Sequence, residues 1–367
     1  MKSDTTRKSG EKATAQSAGS ELALYRKYRP QVFAEVLGQE HVVTALVGAL
    51  EKGAIAHAYL FAGSRGTGKT SIARILARAL GTSQNDLFEI DAASNTGVDD
   101  VRLLNESVST LPFDSKYKIY ILDEAHMLSK SAWNALLKTL EEPPAHVIFM
   151  LATTEIEKVP ETIISRCQVY TFRRPTAAVL KEALWRAAGK EGYTLEVESA
   201  ELIALLGDGS FRDGYGILQK VIAASKDKTI AVAEVEAITG APAGKLITDF
   251  VVAFDARNVD LTLATVRTAS TQNIDMKIFL KRLLRAIRYV LLLRISRAAG
   301  DWISKEVSAS DFKQYSAIAA EPRGAINAAT LVTFLDAAEQ VGFASIPELP
   351  IELAIVKVLG APPAPKV

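Results

Sequence analysis

The sequence predicts an α/β domain built on a parallel sheet that carries a phosphate-binding loop, followed by two all-helical domains. Three observations predict it. Short apolar strands alternate with helical stretches from Leu24 to about Pro175. The segment Gly63-Ser64-Arg65-Gly66-Thr67-Gly68-Lys69-Thr70 joins the apolar run Ala58-Tyr59-Leu60-Phe61 to a helical pattern beginning near Thr70. Strand character disappears after Pro175. Alternation of strand and helix indicates a parallel sheet covered on both faces.

The first candidate strand, Tyr59 to Ala62, runs into the loop. Glycines at 63, 66 and 68 admit backbone conformations closed to residues with a Cβ and turn several N–H groups toward one anion; the helix that follows adds the positive end of its dipole. Lys69 is placed to neutralise β- and γ-phosphates, and the Thr70 hydroxyl to ligate the Mg2+ they hold. Strands are expected next at Leu87 to Ile90 and Ile119 to Leu122, the latter ending in Asp123-Glu124 at the strand edge where ligands bind. Asp123 can hold the metal through water, and Glu124 can orient and deprotonate an attacking water. Both can also cap a helix beginning near Ala125.

Trp133, Leu136, Leu137 and Leu140 repeat at helical spacing until Pro143-Pro144 forbids continuation, which leaves Lys138 on the polar face. The strand His146 to Ala152 is expected to lie between the loop strand and the Asp-Glu strand, so the Thr154 hydroxyl can reach a γ-phosphate or the attacking water. Gln168 to Phe172 is the last strand. Ser165-Arg166-Cys167 precedes it, and Gly209-Ser210-Phe211-Arg212-Asp213 opens a later helix. Each offers an arginine that either meets phosphate charge or pairs with a surface carboxylate. In the last domain Lys277, Lys281, Arg282, Arg285 and Arg288 accompany Ile278, Phe279, Leu283, Leu284, Ile287 and Val290 on one long amphipathic helix. Its basic face either binds nucleic acid or a partner, or is solvated and snorkels over a packed bundle.

Composition bounds the rest. At 367 residues the chain exceeds a single core. Its 43 Lys and Arg against 42 Asp and Glu give no global basic field, so any nucleic-acid contact must be a local patch. A single cysteine, Cys167, excludes an internal disulfide and a zinc site with several thiolates, and fits a reducing cytoplasm. The polar start, Met1 to about Ser20, lacks the apolar core of a secretory signal, and Tyr289 to Leu293 is too short to span a bilayer. The expected divisions are a disordered tail over 1–21, the nucleotide core over 22–175, helical domains over 176–240 and 241–361, and a short tail over 362–367.

Several motifs in one order resemble a known family. They are Tyr25-Arg26-Lys27-Tyr28-Arg29-Pro30, Gly38-Gln39-Glu40-His41-Val42, the phosphate loop, Glu89-Ile90-Asp91-Ala92-Ala93-Ser94-Asn95, Asp123-Glu124-Ala125-His126-Met127-Leu128, Asn134 to Pro144, and Ser165-Arg166-Cys167. Together they resemble the gamma/tau subunits of bacterial DNA polymerase III, the ATPase motors of the sliding-clamp loader in the AAA+ class. The resemblance is dense over about 22–240 and loose beyond. It implies an AAA+ P-loop NTPase core, a small helical lid and a C-terminal all-α collar. It also implies ATP and Mg2+ at the loop Gly63 to Ser71, with Thr154 as first sensor, Arg212 as second sensor and Arg166 as an arginine finger completing the site of an adjacent subunit. Tyr25, Arg29, Pro30 and Val36 match positions that pack adenine and ribose; Lys138 and Thr162 match positions that touch DNA phosphates. The implied partners are other loader subunits of delta and delta-prime type in a hetero-oligomeric ring, the sliding clamp and primer-template DNA, with no membrane, in the bacterial cytoplasm at the nucleoid.

Three departures qualify the resemblance. Only Gly81 to Asp86 stands where many members insert a four-cysteine zinc module, so no zinc is expected. The chain stops soon after its third domain, as a gamma-like form would. Asn95 replaces a basic side chain that some relatives place near DNA. The alternatives are a non-hydrolysing delta-prime-like arm, which would usually lose the intact Lys69, Thr70 and Glu124; a branch-migration helicase motor, which would end in a winged helix; and a bare interaction module. No polymerase active site is visible, so a polymerase label would describe the assembly and not this chain's reaction.

Overall fold

The structure, a computed structural model, describes residues 22–94, 97–321 and 323–360. The expected tails and Asn95 lie outside these described residues. Five strands form one parallel sheet: β1 (Ala58–Ala62), β2 (Leu87–Asp91), β3 (Lys118–Asp123), β4 (Val147–Thr153) and β5 (Gln168–Thr171). Their order is β2-β3-β4-β1-β5, so β4 does lie between the loop strand and the acidic strand.

Side-chain alternation explains the two covered faces. Tyr59, Phe61, Ile119, Ile121, Ile148 and Met150 point to one side, where they meet Val42 and Leu46 of helix Glu40–Glu51 and Ile72 and Leu76 of helix Lys69–Ala79. Leu60, Tyr120, Leu122, Phe149 and Leu151 point to the other, against Val101 and Leu104 of helix Val98–Val108 and Trp133, Leu136 and Leu140 of helix Lys130–Glu141. Removing each such side chain from water contributes about 1.5–3 kcal/mol. This is why the central strands are apolar along their whole length, whereas the edge strands β2 and β5 carry exposed residues on the open side.

The helix expected near Ala125 is instead a single 3-10 turn, Ala125–Met127. Glu124 takes a left-handed backbone, φ 49° and ψ 43°, which breaks helical continuity at its start. The α-helix begins at Lys130, where the Ser129 side chain accepts a hydrogen bond from the Ala132 N–H at 3.2 Å, and it stops before the proline pair.

Residues after Pro175 are not wholly without strand. Thr194–Leu195 (β6) and Thr229–Ile230 (β7) form a short parallel pair beside helices Ala177–Lys190, Val197–Gly207, Phe211–Ala224 and Val232–Thr239. Leu180, Leu184, Ile203, Leu218 and Val221 make this core, and Leu24 of the N-terminal turn Leu24–Lys27 packs into it. Gly240, at φ 67°, ends the last helix and opens the C-terminal bundle. There Phe250, Phe254, Phe279 and Phe334 cluster with ring centroids 5.4–5.9 Å apart. Among the described residues no single helix is long and apolar enough to cross a membrane.

The basic helix is Met276–Ile295, capped by the Asp275 carboxylate. Much of its basic row is engaged inside the molecule, which corrects the expectation of a face left to solvent or nucleic acid. Arg282 pairs with Glu236 at 3.1 Å and bonds the Pro242 carbonyl; Arg285 donates to the Tyr289 hydroxyl and the Glu306 carbonyl. Lys281 pairs with Asp208 at 2.7 Å, and Arg288 lies over the Trp302 ring. Lys277 and Arg288 are the exposed members of the row.

The short bridge after helix Lys69–Ala79 is pinned by one buried carboxylate. Asp86 accepts the N–H groups of Phe113, Asp114 and Ser115 at 2.5–2.8 Å. Burial alone would push this carboxyl up, but those hydrogen bonds outweigh it and hold the pKa at about 2, below the ordinary 3.8. A depressed carboxylate pKa supplies stability that is complete above the ordinary value and is lost as pH falls through the folded value. Asp86→Asn is therefore expected to lower stability at neutral pH and to flatten the loss of stability between pH 4 and pH 2. Urea midpoints across that range check this, and equal slopes in the variant and the wild type would refute it.

Candidate nucleotide site

The C-terminal edge of the sheet brings the phosphate loop, the acidic pair and the threonine pair side by side. Gly63 closes β1, its N–H donating to the Thr153 carbonyl at 3.2 Å; at φ 149° an added Cβ would stand 2.6 Å from the Phe172 carbonyl oxygen. Gly66, at φ 74°, leaves no room for a Cβ beside the Ser210 hydroxyl. Its carbonyl accepts the Phe211 N–H at 3.0 Å, so the first turn of helix Phe211–Ala224 sits directly on the loop. Gly68, at φ 103°, caps helix Lys69–Ala79, and the Thr67 hydroxyl donates to the Ser64 carbonyl at 2.9 Å.

Lys69 is 6% exposed and donates to the carbonyls of Gly63 at 2.7 Å and Ser64 at 3.0 Å. Burial lowers its pKa, while Glu124 and Asp123 act in the opposite direction. The Thr70 hydroxyl donates to Asp123 Oδ2 at 2.9 Å. The Thr154 hydroxyl donates to Glu124 Oε2 at 3.1 Å, a contact the strand order made possible. These are two hydroxyl-carboxylate pairs with separate tasks.

Hard oxygen donors at Thr70 and Asp123 fit Mg2+, which takes one or two protein ligands and completes its shell with phosphate oxygens and water. Among the described residues no group of three or more His, Cys, Asp or Glu side chains forms a metal cage of its own.

A cavity opens above this edge. It is lined by Arg65 to Ser71, Asp123 and Glu124, by Tyr25, Arg29, Pro30 and Val36, and by Arg212. The Arg212 guanidinium lies 5.6 Å from the Tyr25 ring centroid. Gly63, Ser64 and Thr154 are not among the lining residues; the first two accept from Lys69 and the third donates to Glu124. Sequence reasoning missed Tyr28, Glu35, Leu37, Phe211 and Tyr215, which also line the cavity. The signal available was the i, i+4 spacing of Phe211 and Tyr215 on the helix that opens at Ser210.

Arg166 is not among the lining residues. Its guanidinium pairs with Glu141 at 2.5 Å and donates to the Thr162 carbonyl at 2.6 Å. Lys138 and the Thr162 side chain are exposed and also lie outside the cavity.

A family model described as DNA polymerase III, delta subunit, matches residues 38–91 and 81–176. The DNA polymerase III subunit tau of Bacillus subtilis is 36% identical over 361 residues, covering 92% of this chain and 63% of that protein. Subunit tau of Escherichia coli is 39% identical over 297 residues, covering 75% of this chain and 46% of that protein. This chain spans less than two thirds of the length of either. Among solved structures, the RuvB Holliday junction branch migration motor of Thermotoga maritima has a similar fold. Its TM-score is 0.50 at 22% identity, over 67% of this chain and 88% of that one.

The contact between Gly66 and Ser210 generates a test. Gly66→Ala places a Cβ in a left-handed backbone and into the Ser210 hydroxyl, which lifts the helical domain off the loop. Nucleotide affinity, read by titration of a fluorescent ATP analogue, is expected to fall at least tenfold while the thermal unfolding of the domains changes little. Adding Ser210→Gly should recover part of the loss. Wild-type affinity in Gly66→Ala would show that the docked helix does not shape the site.

Proposed function

The chain belongs to the gamma/tau family of DNA polymerase III subunits, and from that premise we propose that it is an ATP-driven motor of a sliding-clamp loader. It binds ATP and Mg2+, hydrolyses the nucleotide and uses the cycle to place a clamp on primer-template DNA. The observation that carries this reading is the convergence of Lys69, the Thr70-Asp123 pair and the Thr154-Glu124 pair beneath a helical domain that presents Arg212.

On this reading each residue takes one part of the chemistry. Lys69 exchanges its loop carbonyls for the β- and γ-phosphates, a favourable trade for a buried ammonium. Thr70 and Asp123 hold Mg2+, which when bound neutralises phosphate charge. Glu124 takes a proton from the attacking water as the water oxygen bonds to the γ-phosphorus and the bond to the bridging oxygen of ADP breaks. Thr154 orients Glu124 and senses the γ-phosphate, and Arg212 reports nucleotide from the helical lid. Tyr25, Arg29, Pro30 and Val36 receive adenine and ribose.

Arg166 supports the assembly reading. It is absent from the lining of its own cavity and its side chain is 33% exposed, and we assign it to the site of a neighbouring subunit in a hetero-oligomeric ring with delta- and delta-prime-type partners. Residues 22–175, 176–240 and 241–361 serve as ATPase core, lid and collar, and Lys138 and Thr162 offer contacts to DNA phosphates. The setting is the bacterial cytoplasm, at the nucleoid.

Turnover in the reconstituted loader, with and without clamp and primed DNA, tests the proposal. Both ligands are expected to be needed for full rate. Arg166→Ala should leave ATP affinity near normal while stimulated turnover falls by about 10³- to 10⁵-fold, the range for an arginine finger. Unchanged stimulated turnover would refute the finger, and full ligand-independent turnover by the isolated chain would refute the motor as described.

A further inference from the structure

We propose that His126 is a positioning residue for Glu124, itself fixed by Glu155 and Thr153, so that a His-Glu pair ties the proposed general base to the loop after β4. This deepens the hydrolytic reading above and rests on Glu124 being the base. The observation is a connected set of polar contacts around one buried ring. His126 has a side chain 7% exposed, and its Nε2 stands 3.2 Å from Glu155 Oε1. Its Nδ1 stands 3.1 Å from the Thr153 hydroxyl and 3.6 Å from Glu124 Oε2. Thr153 in turn accepts the Glu155 N–H at 3.0 Å.

Donor and acceptor arithmetic sets the proton positions. The Lys158 ammonium, 2.7 Å from Glu155, holds that carboxyl below the usual range, so Glu155 is an acceptor only and takes the Nε2 proton. In the neutral imidazole Nδ1 then receives the Thr153 hydroxyl proton; in the imidazolium both nitrogens donate, Nδ1 to the Thr153 oxygen, and the positive ring stands 3.6 Å from Glu124 Oε2. In both states the ring forms a fixed wall against one side of the Glu124 carboxylate while Thr154 holds the same oxygen from the other strand.

The wall matters because Glu124 leaves the strand in a left-handed backbone and has no helix to lean on. Its side-chain direction depends on what surrounds it. A general base must point at its water to work, whereas nucleotide binding rests on the phosphate loop, which does not touch His126. Loss of the ring should therefore lower turnover and spare affinity, a split that general destabilisation would not produce.

The test uses the assembled loader and compares wild type with Glu124→Gln, His126→Ala, Glu155→Ala and Glu155→Gln, measuring single-turnover ATP hydrolysis, affinity for a non-hydrolysable ATP analogue and thermal unfolding. His126→Ala is expected to slow hydrolysis about 10- to 100-fold, the range for residues that orient a reacting group, with affinity within twofold of wild type. Glu155→Ala should match it. Glu155→Gln keeps an acceptor for Nε2 and should lose less than threefold, a rescue that also serves if His126→Ala folds poorly. Wild-type hydrolysis in His126→Ala and Glu155→Ala, with Glu124→Gln inactive, would overturn this inference alone. So would a rate loss matched by equal losses of affinity and stability. Equal hydrolysis by wild type and Glu124→Gln would overturn the base assignment on which it rests.

Discussion

Parallel registration of three strands is the constraint on which the site depends. β1, β4 and β3 are paired so that Ala62 lies opposite Thr153 and Leu122 opposite Leu151. Their carboxyl ends therefore deliver a loop, a hydroxyl pair and a carboxylate pair to one edge within hydrogen-bond reach. The register is held by alternation: moving one strand by a residue would send Phe149 and Leu151 toward the Ile72 face and Met150 toward the Trp133 face. Packing of the core and assembly of this edge are thus one event.

A second joint ties this edge to the helical domains. The phosphate loop meets the first turn of helix Phe211–Ala224 at Gly66, and three residues before that helix Asp208 pairs with Arg174 at 3.4 Å and Lys281 at 2.7 Å. Asp208 is largely exposed, so each pair contributes at most about 1 kcal/mol. Their value lies in position: one residue links the end of the sheet domain, the lid and the C-terminal bundle. The Arg282-Glu236 pair, far less exposed, makes the second link between lid and bundle. A change in how the loop seats that helix has a short path to the collar, through groups weak enough to exchange partners.

Much of this was legible in the sequence. The central strands β1, β3 and β4 read to within about a residue because strands buried on both faces are apolar along most of their length, and the loop and acidic pair stood at the ends of β1 and β3. The position of β4 was legible too, but the bond from Thr154 to Glu124 was not, the expected partner of that hydroxyl being a γ-phosphate or the attacking water. The failures have physical causes. The left-handed backbone of Glu124 leaves no mark on neighbouring residue types, so the helix was placed too early. The pairing of β6 with β7 is too short to impose a period. Phe211 and Tyr215 have the spacing of ordinary core aromatics, and only the docked lid shows that they face a cavity. Lys281, Arg282 and Arg285 read as a free basic face because Asp208, Glu236 and Glu306 are far away in the chain.

The same reasoning bears on Arg166. A finger meant for another protomer should be absent from its own cavity, presented at the surface, and restrained there cheaply. Arg166 meets each condition: it lies outside the cavity lining, its side chain is 33% exposed, and its ionic partner is the half-exposed Glu141. A surface pair of that kind is worth about 0–1 kcal/mol, whereas charge-assisted bonds to a phosphate in a water-poor interface are worth more. The exchange is favourable only where a neighbour supplies the phosphate. Under the function proposed above, such an arrangement would hold the isolated chain at low turnover without any inhibitory element and make the completed interface itself the signal to hydrolyse.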